Sequence, residues 1–167
     1  MNQPVPVHVI RLRGPWEYRP LARTVMLADG SCRSEVGDLP AAGRIKLPAD
    51  WGSTLGCDFR GRVAYLRRFG RPTGLGAADR VEIVITRIDA WGSVRLNGRE
   101  LGEIPVGGHV WRCDITSHMA VRNELLVEVE LPRVTGDSPP PVRPGREGLP
   151  GGLIGEVRLE IIASGDG

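Results

Sequence analysis

Lysine is nearly absent from this sequence: of its 22 basic residues only Lys46 is not an arginine. The excess of arginine raises two readings, bidentate recognition of phosphate or carboxylate groups and a coding preference for arginine. The 20 acidic residues leave a formal net charge of only +2, and no basic run is long enough to form an electrostatic footprint on nucleic acid. A nucleic-acid partner is therefore not expected. Cysteine is scarce as well. Cys32, Cys57 and Cys113 lie far apart and form no Cys-x-x-Cys pair, which excludes zinc-ribbon and thioredoxin-type sites. Free, largely buried thiols in a reducing compartment are expected, with one disulfide plus one free thiol as the alternative.

Long apolar runs are missing. No stretch approaches the roughly 18 residues that span a bilayer, so no membrane partner is expected. The first ten residues lack a charged start followed by an apolar core, so the expected location is the cytoplasm unless a leader precedes this chain. There is no Gly-x-Ser-x-Gly elbow and no Asp-x-Asp-x-Asp loop. His8, His109 and His118 show no metal-ligand spacing, so neither a metal site nor a cofactor is expected. The glycine-rich segment 70–76 precedes a strand, not a helix, which disfavours a phosphate cradle. Helical periodicity is also lacking over any window of 11 to 18 residues.

Turn formers and strand patterns fill the remainder. The 167 residues include 23 glycines and 14 prolines, more than a fifth of the chain against a usual sum of roughly 12%. They follow no three-residue period, so they signal many short elements joined by turns in a single domain, 1–167. Val81, Ile83 and Ile85 share one face, as do Leu125, Val127, Val129 and Leu131, and again Val157, Leu159 and Ile161. Val63, Tyr65, Arg67 and Phe69 share another, and residues 7–12 read as a further strand. Asn97-Gly98 between two short strand runs predicts a type I′ hairpin. Asp114 to Ser117 predicts a capped turn, and 118–122 a short helix at most. Residues 135–152 hold Pro139-Pro140-Pro141, Pro144 and Pro150 between two strands. Such a long internal loop is either a ligand-site lid or a flexible excursion.

Seven segments carry a resemblance. Arg44-Ile45-Lys46-Leu47-Pro48-Ala49-Asp50-Trp51 is similar to the opening proline–tryptophan segment of galactose-binding-like sandwiches. The segment 59–69 resembles a strand pairing an aromatic with arginine and phenylalanine, and 88–98 through Leu101-Gly102 resembles a strand into an Asn-Gly hairpin. Gly107-Gly108, then Asp114-Ile115-Thr116, then Asn123-Glu124-Leu125 follow in order, and 151–159 resembles the final strand. Over about 44–162 the chain resembles the N-terminal sugar-binding domain of family 2 glycoside hydrolases, the β-galactosidase and β-glucuronidase group. The resemblance implies an all-β jelly-roll sandwich of two antiparallel sheets with eight or nine strands. A structural calcium ion is a further expectation that comes from the resemblance alone.

The catalytic glutamates of that family sit in a barrel of about 250 residues, which a chain of this length cannot hold. Glu82, Glu128, Glu130 and Glu160 fall on polar strand faces, and no converging pair stands out. The expected function is a non-catalytic carbohydrate-binding module. The alternatives are a protein interaction or assembly module of the same fold and a detached subunit of a split hydrolase. The expected partner is accordingly a carbohydrate ligand or a protein.

Three residues are candidate ligand contacts. Trp91 offers either an indole platform for the C–H face of a sugar or a cover over the sandwich end. Arg67, on an apolar face, either finds a carboxylate or lines a wet groove. His109, after two glycines, falls at a loop tip, where it contacts a polar ligand or is simply solvated. Trp16, Trp51 and Trp111 are expected to pack, Trp111 in a core-facing set with Cys113 and Ile115.

Overall fold

Period-two alternation sorts apolar side chains onto one face of each strand, and burying those faces requires two sheets laid against each other. The computed structural model describes residues 4–164 and shows that arrangement. The order is β1 (Val7–Arg11), β2 (Trp16–Met26), β3 (Cys32–Glu35), β4 (Gly43–Ile45), α1 (Gly52–Leu55), β5 (Gly61–Gly70), β6 (Arg80–Ile85), β7 (Trp91–Leu96), β8 (Arg99–Ile104), β9 (Trp111–Asp114), β10 (Arg122–Leu131), β11 (Arg133–Val134) and β12 (Val157–Ile162). The smaller sheet runs β1-β12-β6-β9, and the larger runs β11-β2-β5-β10-β7-β8 with β3 and β4 on β2. All pairings are antiparallel except the two-residue contact of β11 with β2.

One core joins the sheets. Val81, Ile83, Ile85, Val157 and Leu159 of the smaller sheet meet Val63, Tyr65, Val94, Leu96, Leu125, Val127 and Val129 of the larger. Removing such a side chain down to alanine costs about 2–5 kcal/mol, so this interdigitated layer dominates stability. Trp16 and Trp51 are fully buried, and Trp51 meets Phe59 edge-to-face at 5.4 Å. Asn97 and Gly98 take φ values of 53° and 81°, the positive values a type I′ turn needs. The Asn97 amide also donates to Asn123 Oδ1 (3.0 Å), and its Oδ1 accepts from the Glu124 N–H (2.8 Å), stitching the hairpin to β10.

The structure departs from the sequence reading in five places. Among the described residues there are twelve strands, not eight or nine, because short edge strands such as β3, β4 and β11 add to the larger sheet. The short helix expected over 118–122 is absent. The Asn123 side chain accepts from the Ala120 N–H (2.8 Å) and donates to the Ala120 carbonyl (3.0 Å), which ends the turn and starts β10 instead. A one-turn helix forms at Gly52–Leu55. The thiols are not largely buried: Cys32 and Cys57 are exposed and Cys113 is half-buried, because Cys32 sits on a short flanking strand, Cys57 in a loop and Cys113 on an edge strand. Trp111, on the same edge strand as Cys113, is only half-buried, while Ile115 beyond it is fully buried.

The capped turn forms as the sequence predicts. Asp114 Oδ1 accepts from the Thr116 N–H (2.9 Å) and from its hydroxyl (2.6 Å).

The long loop is tied to the sandwich. Asp89 is almost wholly buried and its Oδ2 accepts from Arg146 Nε at 2.7 Å. Arg146 Nη2 also donates to the Pro150 carbonyl (3.1 Å), and Asp89 and Gly152 exchange backbone hydrogen bonds. Gly151 lies against Trp51 so closely that a Cβ would stand 2.8 Å from the ring.

Candidate functional site

The outer face of the larger sheet carries the side chains that alternate away from the core. In β7 these are Trp91, Ser93 and Arg95, since Gly92, Val94 and Leu96 point inward. The register sets their neighbours. Trp91 lies opposite Glu130 and Ser93 opposite Glu128 on β10, while Glu130 lies opposite Arg62 on β5. On the other side of β7 a bulge between Val94 and Arg95 places Glu103 opposite Ser93. Without that extra residue Gly102 would take the position and the carboxylate would point away.

These residues, with Pro105 and Val106 from the loop after β8, line an open groove of about 690 Å³. That volume lies within the ~300–1,000 Å³ range of small-molecule sites. One wall is an indole, half-buried and packed at its base against the core. The floor holds Glu128 and Glu130 side by side on a single strand, two residues apart. Glu130 is only 9% exposed, and its Oε2 has no hydrogen-bond partner even though Arg62 lies across the strand from it. Burial pushes the Glu130 carboxyl above its ordinary value; Arg62 opposes that shift and Glu128 adds to it. The arrangement can stack a ring face on Trp91 and accept several hydrogen bonds from its edge. It cannot place carboxyl groups on opposite sides of a glycosidic bond using these two glutamates, which share a wall.

The other two sequence candidates lie elsewhere. Arg67 is on β5 five residues from Arg62 and on the opposite face, turned toward the sandwich interior. Its Nη1 donates to the Pro15 carbonyl at 3.2 Å, so its partner is a carbonyl and not a carboxylate, and its buried Nε has none. The neighbouring Arg68 makes the carboxylate pairs, with Glu17 (3.0 Å) and Glu124 (3.4 Å). His109 is exposed beside a second hollow formed with Thr86, Val142 and Arg143, where Arg143 also bonds the Gly108 carbonyl. Trp91, Arg67 and His109 thus occupy three separate places.

The groove's polar members, Arg62, Ser93, Glu103, Glu128 and Glu130, were not singled out as ligand contacts by sequence reasoning. Alternation alone puts the two β10 glutamates on a polar face, but the cross-strand register and the bulge that gather them leave no mark in the sequence. Glu160 shows the contrast. It is equally buried (8% exposed) on the smaller sheet, yet Arg158 Nε donates to it at 2.9 Å and Arg112 Nη1 at 2.5 Å. Those two guanidiniums, Arg112 foremost, hold its carboxyl below the ordinary value.

Among the described residues, no group of three or more His, Cys, Asp or Glu side chains is arranged to hold a metal ion. Among the same residues, no helix is long and apolar enough to cross a membrane.

No family model matches the sequence, and no curated protein matches it. Solved structures do. An FMN-binding β-glucuronidase from Facaelibacterium prausnitzii L2-6 superposes with a TM-score of 0.67 at 24% identity, over 95% of this chain and 23% of its own. A Bifidobacterium dentium β-glucuronidase, complexed with coumarin-3-O-glucuronide, gives 0.68 at 19%, over 97% of this chain and 31% of its own. A β-D-glucuronidase of Dictyoglomus thermophilum gives 0.66 at 16%, over 98% and 29%. The chain spans less than a third of the length of each of these enzymes, so it corresponds to a domain-sized piece without a catalytic barrel. The likeness read from the seven sequence segments is borne out at the level of architecture: this chain has the all-β sandwich fold of one domain of the glucuronidase structures.

Proposed function

We propose that the chain is a non-catalytic carbohydrate-binding module whose site is the groove beneath Trp91. The observation that carries this reading is the position of the Trp91 indole on the outer face of the larger sheet, directly opposite Glu130 and beside Glu128, Ser93 and Arg62. A pyranose has an apolar C–H face and a rim of hydroxyls. A half-buried indole lining an open groove beside carboxylate acceptors matches both, stacking on one and accepting from the other. The non-catalytic half of the reading draws support from the shared strand of Glu128 and Glu130 and from the absence of a barrel in a match to a quarter of the glucuronidase length.

Calorimetric titration with neutral oligosaccharides of glucose, galactose and N-acetylglucosamine tests it. The expected result is weak saturable binding of at least one, reduced about tenfold or more in Trp91→Ala, as for a truncated aromatic anchor at the centre of a contact. Absence of binding to every saccharide, neutral or charged, overturns the proposal.

A further inference from the structure

The groove's charge runs against that of the chain. The sequence as a whole carries a formal +2, whereas the groove sets Glu103, Glu128 and Glu130 against Arg62 alone. Within it, Glu130 Oε2 is buried and accepts no hydrogen bond. A buried carboxylate oxygen without a donor costs the full desolvation of that group, and native structures rarely leave one so unless something else supplies the donor. The chain has guanidiniums to spend on such groups. It places Arg112 and Arg158 on the equally buried Glu160, and Arg146 on the buried Asp89. Glu130 alone among these three buried carboxylates faces an open groove, and it alone has an oxygen without a hydrogen-bond donor, Arg62 acting on it only from across the strand.

The missing partner is therefore a donor brought by the ligand, and the lining selects its charge. A uronate would set its own carboxylate against three others with only Arg62 to offset them. A neutral hydroxyl donates a single hydrogen bond and leaves the negative charge in place. A primary ammonium donates up to three charge-assisted hydrogen bonds and neutralises charge at the same time. With no metal-holding cluster among the described residues, the cation that fits is an organic one on a ring that stacks on Trp91.

We propose that the groove selects amino sugars, binding glycans with a free amine so that the ammonium meets Glu130 and Glu128 while the ring lies on Trp91. This rests on the carbohydrate reading of the same groove and names its ligand class.

The test is calorimetric titration of the folded chain with three hexasaccharides in low-salt, near-neutral buffer: glucosamine, N-acetylglucosamine and galacturonate hexamers. The glucosamine hexamer is expected to bind about tenfold more tightly than its acetylated counterpart, one charge-assisted contact's worth, and the galacturonate hexamer least. Added salt should erode that preference. Glu130→Gln, which is nearly isosteric at a position with no hydrogen bond to lose, should abolish the preference while its melting transition shows an intact fold. Glu128→Gln should weaken it. Equal or tighter binding of the acetylated hexamer overturns the amino-sugar inference but leaves the carbohydrate reading standing if Trp91→Ala still removes binding. A preference that survives in Glu130→Gln also overturns the inference. If none of the three hexamers nor any neutral saccharide binds, both readings fall.

Discussion

Trp91 and Glu130 are direct cross-strand partners, the last pair of the β7–β10 ladder. The ladder is anchored just beyond them by the Ala90 N–H, which donates to the Glu130 carbonyl at 3.0 Å. Directly opposite residues have Cβ atoms about 4.5–5.5 Å apart. An apolar ring and a donor-starved carboxylate are thus fixed side by side by the sheet backbone itself, so the site needs no loop movement to assemble.

That pairing has a cost visible in stability. Burial disfavours the charged form of Glu130 and raises its carboxyl. At neutral pH the folded state bears this penalty; as pH falls through the raised value the group protonates and the penalty vanishes. Glu130→Gln should therefore be more stable than the natural chain at neutral pH, by about 1 kcal/mol or a melting temperature roughly 2–4 °C higher. The gap should close toward acid pH. Thermal melts of both proteins across that range check this, and a variant less stable at neutral pH contradicts it.

The Arg146–Asp89 pair should hold the long loop. Arg146→Ala leaves the Asp89 carboxylate buried without a counter-charge, which costs about 3–5 kcal/mol. Cleavage by a broad-specificity protease within 135–152 should become faster. Because the loss is that of an uncompensated charge, Asp89→Asn combined with Arg146→Ala should recover part of the stability. Denaturant unfolding of the two variants checks the order.

The Asn97–Asn123 contact should show strong non-additivity. Asn123→Ala strands the Ala120 N–H and the Asn97 amide, at about 2 kcal/mol. Asn97→Ala removes the same contact and places alanine at a φ of 53°, adding about 1 kcal/mol of backbone strain. The double variant should lose clearly less than the sum of the two, as residues in one network do. Additive losses in denaturant unfolding would argue that the two side chains act separately.

Much of the fold was legible because alternation and turn chemistry are local. The buried sets Val81/Ile83/Ile85 and Leu125/Val127/Val129/Leu131 follow from period two, and the hairpin follows from Asn97-Gly98. Strand β2, eleven residues long, was missed because Pro20 interrupts it; the sheet tolerates that proline at a register shift between Pro20 and Ala22. The thiols were misplaced because cysteine count and spacing carry no information on burial, and for Cys113 because parity predicts a face but not whether the strand is central or at an edge. Of the candidate site, Trp91 was legible as an aromatic at a strand entrance. Its partners were not, since pairing Trp91 with Glu130 and Glu130 with Arg62 takes two non-local registers, and pairing Ser93 with Glu103 takes a bulge within the hairpin. Arg67 looked conspicuous for its apolar neighbours, but its contact is the Pro15 carbonyl, a backbone atom with no sequence signature.

The measurement that most directly tests the carbohydrate reading is a nuclear magnetic resonance titration following the four tryptophan indole N–H signals as saccharide is added. Trp16 donates its indole N–H to the Leu12 carbonyl at 2.7 Å in the core, and Trp51 is fully buried, so neither should respond. The account predicts a saturable shift of the Trp91 signal, with those of Trp16, Trp51 and Trp111 unchanged. A Trp91 signal that stays fixed while saccharide binds elsewhere, or that stays fixed with every saccharide tried, would contradict it.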